Sequence, residues 1–505
     1  MPRRRAVLRA ALGLAALPAA ARAGKADDTL RIAWRDAIPD LDPYRNQLRT
    51  GFVLAHHIWD CLVDRDPETF QMRPLLAASW RQEDETTWRF TLRPDLRFHD
   101  GSPCGPDDVV YTVETVRERA GIAVPGLFSW LAGAEQIDAT QLRLTLREPF
   151  PAVLEYLAMV LPILPRAYRE RVGAEAFAEA PVGTGPYRVT ANDTPDRLLL
   201  ERFDGYFPGG PKGRPAIPRI AIHAVADSLA ELDALLADRA DWIWQIGPAA
   251  FAAVAQAPGL QALRGESMRL GYLSLDAAGR SGAGNPLTVL KVRQAICHAI
   301  DRAAIAQRLG SVAARVPDTP CFPTQFGCDA AAAVRYPYDP ARARALLAEA
   351  GYADGFATQL VSYVLAEEGA AVRSALQAVG ITAELIQMPT ADAVERAAAG
   401  GAPLFLGTWG SYSINDVAAM LPQFFGGGPL DYARDPELQA VIVQAGRSGD
   451  ADRRRALYAQ AIRRITAEAL WLPTHTYATT YGMTRTLNCR PFADELPRFY
   501  LATWK

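Results

Sequence analysis

One stretch, residues 404–425 (LFLGTWGSYSINDVAAMLPQFF), constrains the fold more than any other. Leu404, Phe405 and Leu406 form an apolar run of the length a buried strand needs. The chain then breaks into Gly407, Thr408, Trp409, Gly410, Ser411, Tyr412 and Ser413, and resumes as a helix-like segment near Asn415 and Asp416. A strand that ends in glycines and aromatics ahead of an acid at a helix start is the makeup of a ligand-facing loop. In open α/β sheets, ligands collect at the carboxyl ends of strands. Asp416 fits two roles here, a ligand contact and a plain N-cap that accepts backbone N–H bonds.

The remaining sequence sets this loop in a larger frame. A chain of 505 residues is too long for one core, so two or three domains are expected. Fifty arginines accompany four lysines, but they are scattered and the 56 acids outnumber the 54 bases, so polyanion or nucleic-acid binding is disfavoured. The N-terminus reads as an export signal. Arg3, Arg4, Arg5 and Arg9 precede an apolar run at 10–21, and Ala21-Arg22-Ala23 is an A-x-A cleavage site that predicts a mature start at Gly24. Residues 4–9 resemble a twin-arginine signal, with Val7 where Phe is commoner. No cysteine stands at the cleavage point, which argues against a lipid anchor. No later run reaches the length of a membrane span, so a soluble protein outside the cytoplasm is expected.

Such a compartment permits disulfides, and of six cysteines Cys321 and Cys328 are the convincing pair, closing CFPTQFGC. Closing a loop of this size contributes about 2.5 kcal/mol by chain entropy. Cys61, Cys104 and Cys297 read as buried thiols, and Cys489 has no evident place.

Strand patterns fall at 29–34, 86–93, 141–148, 219–224, 241–245 and 382–386, and an extended tail at 471–480. Helices are expected at 52–63, from Pro106, over 228–237, across 291–309 as a single stripe, and from Asp339, Asp435 and Asp450. Catalytic signatures are missing: there is no G-x-S-x-G, no G-x-x-x-x-G-K and no H-E-x-x-H. His56 and His57 are adjacent and would point about 100° apart on a helix, poorly placed to chelate one ion. No metal and no cofactor are expected, and a secreted hydrolase, the rival from another class, would need a nucleophile–base pair that no sequence neighbourhood supplies.

Taken together, several segments resemble the bacterial extracellular solute-binding proteins of family 5, the peptide/nickel/opine branch of ABC-importer binding proteins. They are LDPY at 41–44, RPLLAASW at 73–80, LRFHDGSPCGPDDVVYTVE at 96–114, PVGTGPYRV at 181–189, KVRQAICHAIDR at 291–302 and YDPARARALLAEAGY at 338–352. The resemblance implies an α/β, two-lobed periplasmic-binding-protein fold with an extra subdomain inserted in lobe I. Lobe I would run over 24–265 plus 475–505, with the insert at about 46–180, and lobe II over 266–474. A ligand would be enclosed between the lobes and presented to an inner-membrane ABC permease by a periplasmic monomer. The resemblance places Asp416 where the family's peptide binders hold an α-ammonium, with Asn415, Trp409 and Tyr412 in the same loop, Trp244 and Gln245 where a lobe I strand meets the cleft, and Tyr44 in the first turn. The arginine with which dipeptide binders pair a carboxylate is missing from 362–368, where Glu367 and Glu368 stand instead. An acidic wall there would suit a cationic or hydroxylated ligand. Peptide-like or amino-acid-derived ligands rank first, then opine or sugar-like ones, then metal chelates.

Overall fold

The computed structural model describes residues 25–505 apart from 37, 39, 47, 119, 194 and 195; the expected export signal lies outside the described residues. A ten-stranded mixed sheet runs through the molecule. In order it carries Ile381–Gln387, Phe356–Ser362, Leu404–Trp409, Leu260–Leu275, Trp471–Thr484, Trp242–Trp244, Thr29–Trp34, Arg219–Ala224, Arg197–Arg202 and Tyr187–Asp193. The two long central strands, Leu260–Leu275 and Trp471–Thr484, pair antiparallel along most of their length. Their register breaks between Glu266 and Leu270 and again between Leu270 and Tyr272. On one side of that break they join Trp242–Trp244, and on the other Leu404–Trp409.

The apolar side chains sort accordingly. One core gathers Leu30, Trp34, Phe90, Val113, Leu157, Tyr187 and Trp242 with tail residues such as Phe499. Two others hold Leu273, Ile296, Leu346, Leu360 and Leu404, and Tyr272, Phe405, Phe424, Tyr458 and Trp471. A chain of this length exceeds what one core can enclose, and division is the physical outcome. A separate antiparallel sheet of Ala77–Asp84, Thr87–Leu92, Gln141–Leu146 and Leu131–Gln136 packs with the helix Pro106–Glu118.

Local signals explain most element ends. Asp339, Asp435 and Asp450 each accept backbone N–H bonds as N-caps, the first two followed by Pro at the first helical position. The stripe expected over 291–309 is two helices, Leu290–Ala299 and Arg302–Leu309; Asp301 caps the second by accepting from the Ala304 N–H. Apolar periodicity continues across the break, which is why the pattern alone does not show it. The crossing at 181–189 needs its glycines: a Cβ on Gly183 would lie 1.9 Å from the Ile58 carbonyl oxygen, and one on Gly185 2.5 Å from that of His57. Cys321 and Cys328 are disulfide-bonded, and the other four cysteines are buried free thiols. Among the described residues no helix is long and apolar enough to cross a membrane.

Candidate ligand-binding cleft

Four strands of the large sheet end on one cavity of about 940 Å³. Thr29–Trp34 delivers Arg35 and Asp36, Trp242–Trp244 delivers Gln245, Phe356–Ser362 delivers Tyr363, Val364 and Leu365, and Leu404–Trp409 delivers its own Thr408 and Trp409. All four contribute at their carboxyl ends, where backbone N–H and side-chain groups are free of the strand ladder. The two central strands add Arg269, Tyr272, Tyr477 and Thr480, and the tail adds Glu495. Residues of the separate cores thus face each other across this space.

One wall is aromatic. Trp409 meets Tyr412 edge-on at 4.9 Å and Phe424 at 5.5 Å, and Tyr272 contacts Phe424 at 5.1 Å. The Trp409 indole N–H donates to the Ala419 carbonyl at 3.0 Å, so its polar edge is satisfied within the protein. The Tyr363 hydroxyl accepts from the Thr408 N–H at 2.8 Å and donates to the Thr408 carbonyl at 2.7 Å, fixing the end of the strand.

Beyond Gly410 the loop makes a turn in which Ser411, Tyr412 and Ser413 have φ of +51°, +49° and +62°. Three consecutive non-glycine residues in the left-handed region persist only where surrounding structure holds them. Here Arg49 donates to the Ser413 hydroxyl, Arg65 donates to the Ser413 carbonyl at 2.6 Å, and the Ser413 hydroxyl donates to the Asp494 carbonyl. Ile414 is buried in the core that contains Trp34 and Trp242. The loop that follows one lobe's strand is therefore anchored on the other side of the cleft.

The charges concentrate at Glu495. Arg269 grips its carboxylate with Nε at 2.8 Å and Nη2 at 2.9 Å, and Arg49 Nη2 lies 2.9 Å from Oε2. Burial works to raise the Glu495 carboxyl, but Arg269 and Arg49 outweigh it and hold it below the usual carboxylate range. Arg35, on the same cavity, is paired with buried Glu231.

The residues singled out from the sequence divide into three groups. Trp409, Tyr412 and Gln245 line the cleft. Asn415 and Asp416 line a second cavity of about 840 Å³, bordered by Glu155, the disulfide loop and Arg454. The Asp416 carboxylate accepts from the Ala418 N–H at 2.8 Å, as an N-cap does, and from Arg454 Nη2 at 2.7 Å. Burial nonetheless pushes its carboxyl up to about 6, against the pull of Arg454. Trp244 and Tyr44, expected at the cleft, are core residues. Trp244 packs on Trp34 at 5.1 Å and on Trp242 at 6.0 Å, and the Tyr44 hydroxyl donates to the Pro162 carbonyl at 2.6 Å. Both faces of Trp242–Trp244 are covered by core, and the chain turns out of the strand toward the cleft only at Gln245, whose φ is +49°.

The expected acidic wall is also absent from the cleft lining. Glu368 is buried behind it, where it accepts from the Tyr477 hydroxyl at 2.6 Å, and burial pushes its carboxyl up to about 7. Glu367 is exposed. Arg49, Arg269 and Glu495 escaped the sequence reading because they come from three distant segments with no shared motif.

The cleft thus lies at strand ends between separately packed bodies. The family model of bacterial extracellular solute-binding proteins, family 5 Middle, matches residues 71–431. The chain belongs to this family, the solute-binding proteins of ABC importers. It is 27% identical over 493 residues to the glutathione-binding protein GsiB of Salmonella paratyphi A, covering 92% of each chain. Among solved structures it is similar to NikA from Brucella suis in complex with Fe(III)-EDTA (TM-score 0.83, 22% identity, 94% of this chain and 100% of that one). It is also similar to a dipeptide-binding protein from Pseudoalteromonas sp. SM9913 in complex with Met-Leu (TM-score 0.79, 18% identity, the same coverage). These likenesses establish the two-lobed periplasmic-binding-protein fold.

Proposed function

We propose that the protein captures a small peptide-like or amino-acid-derived solute in this cleft, in the periplasm, and delivers it to an inner-membrane ABC permease. The observation that carries the reading is the convergence of four strand ends from separate cores on one cavity with an aromatic wall and a charged floor. A relative named for glutathione and a solved structure in complex with Met-Leu support an amino-acid-derived ligand. In this reading lobe I spans 24–265 plus 475–505, lobe II spans 266–474, and the antiparallel sheet lies in a subdomain inserted at about 46–180. The register breaks at Glu266, Leu270 and Tyr272 support a hinge there.

Closure follows from differential affinity. A solute that touches both lobes binds the closed form more tightly and shifts the population toward it. Purification under native conditions followed by mass spectrometry of the released small molecules identifies the solute. Adding it back is expected to raise Tm by the amount set by RT ln(1+[L]/Kd) and to change tryptophan emission through Trp409. A protein whose Tm no peptide-like compound moves, and which releases a metal chelate instead, would overturn the ligand class.

A further inference from the structure

We propose that Arg49 and Arg269 form a carboxylate-binding site on the cleft wall, so that the captured solute is an acid whose carboxylate completes their charge balance. The inference rests on the cleft being the solute site.

Its first support is a count of charges. Two guanidiniums share one carboxylate, Glu495, and the Arg49 and Arg269 side chains keep 16% and 27% of their surface exposed. Immediately beside them lies a sealed cluster of the same chemistry. There Arg65 and Arg498 meet two acids: both hold Asp494, at 2.9 and 2.7 Å, and Arg65 also holds Glu155 at 2.6 Å. The sealed cluster is balanced, whereas the one on the cleft lacks an acid. An excess guanidinium in a partly desolvated wall is costly unless an anion meets it. Burial and the neighbouring Arg269 work against the charge on Arg49 and outweigh Glu495 and Asp494, whereas Glu495 holds Arg269 above its ordinary value.

Space is the second support. A Cβ on Gly410 would lie 2.9 Å from Glu495 Oε2 and 3.0 Å from both Arg269 Nη2 and Arg49 Nη2. Gly410 has an ordinary negative φ of −108°, so its backbone does not demand glycine. The missing side chain is what lets Glu495 and both guanidiniums pack this closely against the loop end at the cleft. Arg269 Nη1 also reaches the Thr408 hydroxyl at 3.2 Å, and the Glu495 grip fixes the plane of the fork for a second, bidentate partner. Of the other charges on the cleft, Arg35 is neutralised by Glu231, and Asp36 has no ion-pair partner among the described residues. A solute with both a carboxylate and an amine matches that pattern. Arg49 opens the helix Arg49–Ile58 while Arg269 lies at the register break of the central strands, so one carboxylate touching both would favour closure.

The test uses glutathione and Met-Leu, each beside its fully amidated form, titrated calorimetrically into the exported chain. Wild type is expected to bind at least one acid about tenfold or more tighter than its amide, the factor that a lost charged hydrogen bond implies. In Arg269→Gln and Arg49→Gln the preference falls below about threefold while the amide's own Kd stays within about twofold. A merely structural loss would weaken acid and amide alike. Should either variant fail to fold, Arg269→Lys keeps the charge but loses the bidentate fork and is expected to lower the preference for the acid. Amides binding as tightly as acids would overturn the carboxylate site and leave the solute-binding reading intact. No heat and no Tm shift from any of the four compounds would overturn both.

Discussion

Asp494 and Glu495 are neighbours in the chain, each clamped by two arginines, and their surroundings give them opposite characters. Asp494 is fully buried between Arg65 and Arg498, and these arginines, overcoming the cost of burial, hold its carboxyl far below the usual range. Glu495 has φ of +62° and turns the other way, onto the cleft, where Arg49 and Arg269 meet it at the wall. The same residue types yield a structural cross-link on one side of the backbone and an unfinished anion site on the other. What differs is the number of acids and the access of solvent, and neither is a property of the local sequence.

The largest expected effect falls on the sealed side. Asp494→Ala leaves two buried guanidiniums with only Glu155 and should cost about 3–5 kcal/mol, read as a lowered midpoint in urea denaturation. A loss under about 1 kcal/mol would show that water reaches this cluster after all. Asp416→Ala removes the partner of buried Arg454. A loss of about 2–3 kcal/mol is expected, smaller because a cavity lies alongside to admit water. Solute affinity should stay within about twofold, since Asp416 is not on the cleft lining. A clear loss of affinity would restore Asp416 as a ligand contact.

pH separates Asp494, held low by its two arginines, from Glu368, which has none. Asp494, depressed when folded, contributes stability in full above its ordinary value of 3.8 and loses it as pH falls toward the folded value. Glu368 runs oppositely. Burial raises it from 4.5 to about 7, so the folded state binds the extra proton and stability declines as pH rises through that window. Glu368→Gln should reduce the dependence of Tm on pH between 4.5 and 7, leaving the part due to Asp416, and an unchanged slope would assign it wholly to other groups. The smallest effect is expected at the cleft. Glu495→Gln keeps an acceptor and leaves both guanidiniums open to water, so a loss of about 1–2 kcal/mol is predicted from the denaturation midpoint. A loss as large as that of Asp494→Ala would mean the two clusters do not differ as described.

Much of this protein was legible from residue order. The loop at 404–425 is a strand, a glycine-aromatic break and a capped turn, as its pattern implied, and Trp409 and Tyr412 stand on the cleft. Asp-Pro pairs at 339 and 435 begin helices because capping and a fixed proline φ act within a few residues. The segments at 96–114, 181–189, 291–302 and 338–352 carry the family because each encodes such short-range geometry.

Sequence therefore settled the α/β class and the family, both set by interactions between residues close along the chain. Tertiary structure alone decided which way each polar side chain faces. It turned Trp244 and Tyr44 into the core, spent Asp416 on Arg454, buried Glu368 behind the wall, and brought together Arg49, Arg269 and Glu495 from segments hundreds of residues apart. Charge balance in a partly desolvated wall depends on that assembly, because the Coulomb energy of each group is set by neighbours that only folding supplies.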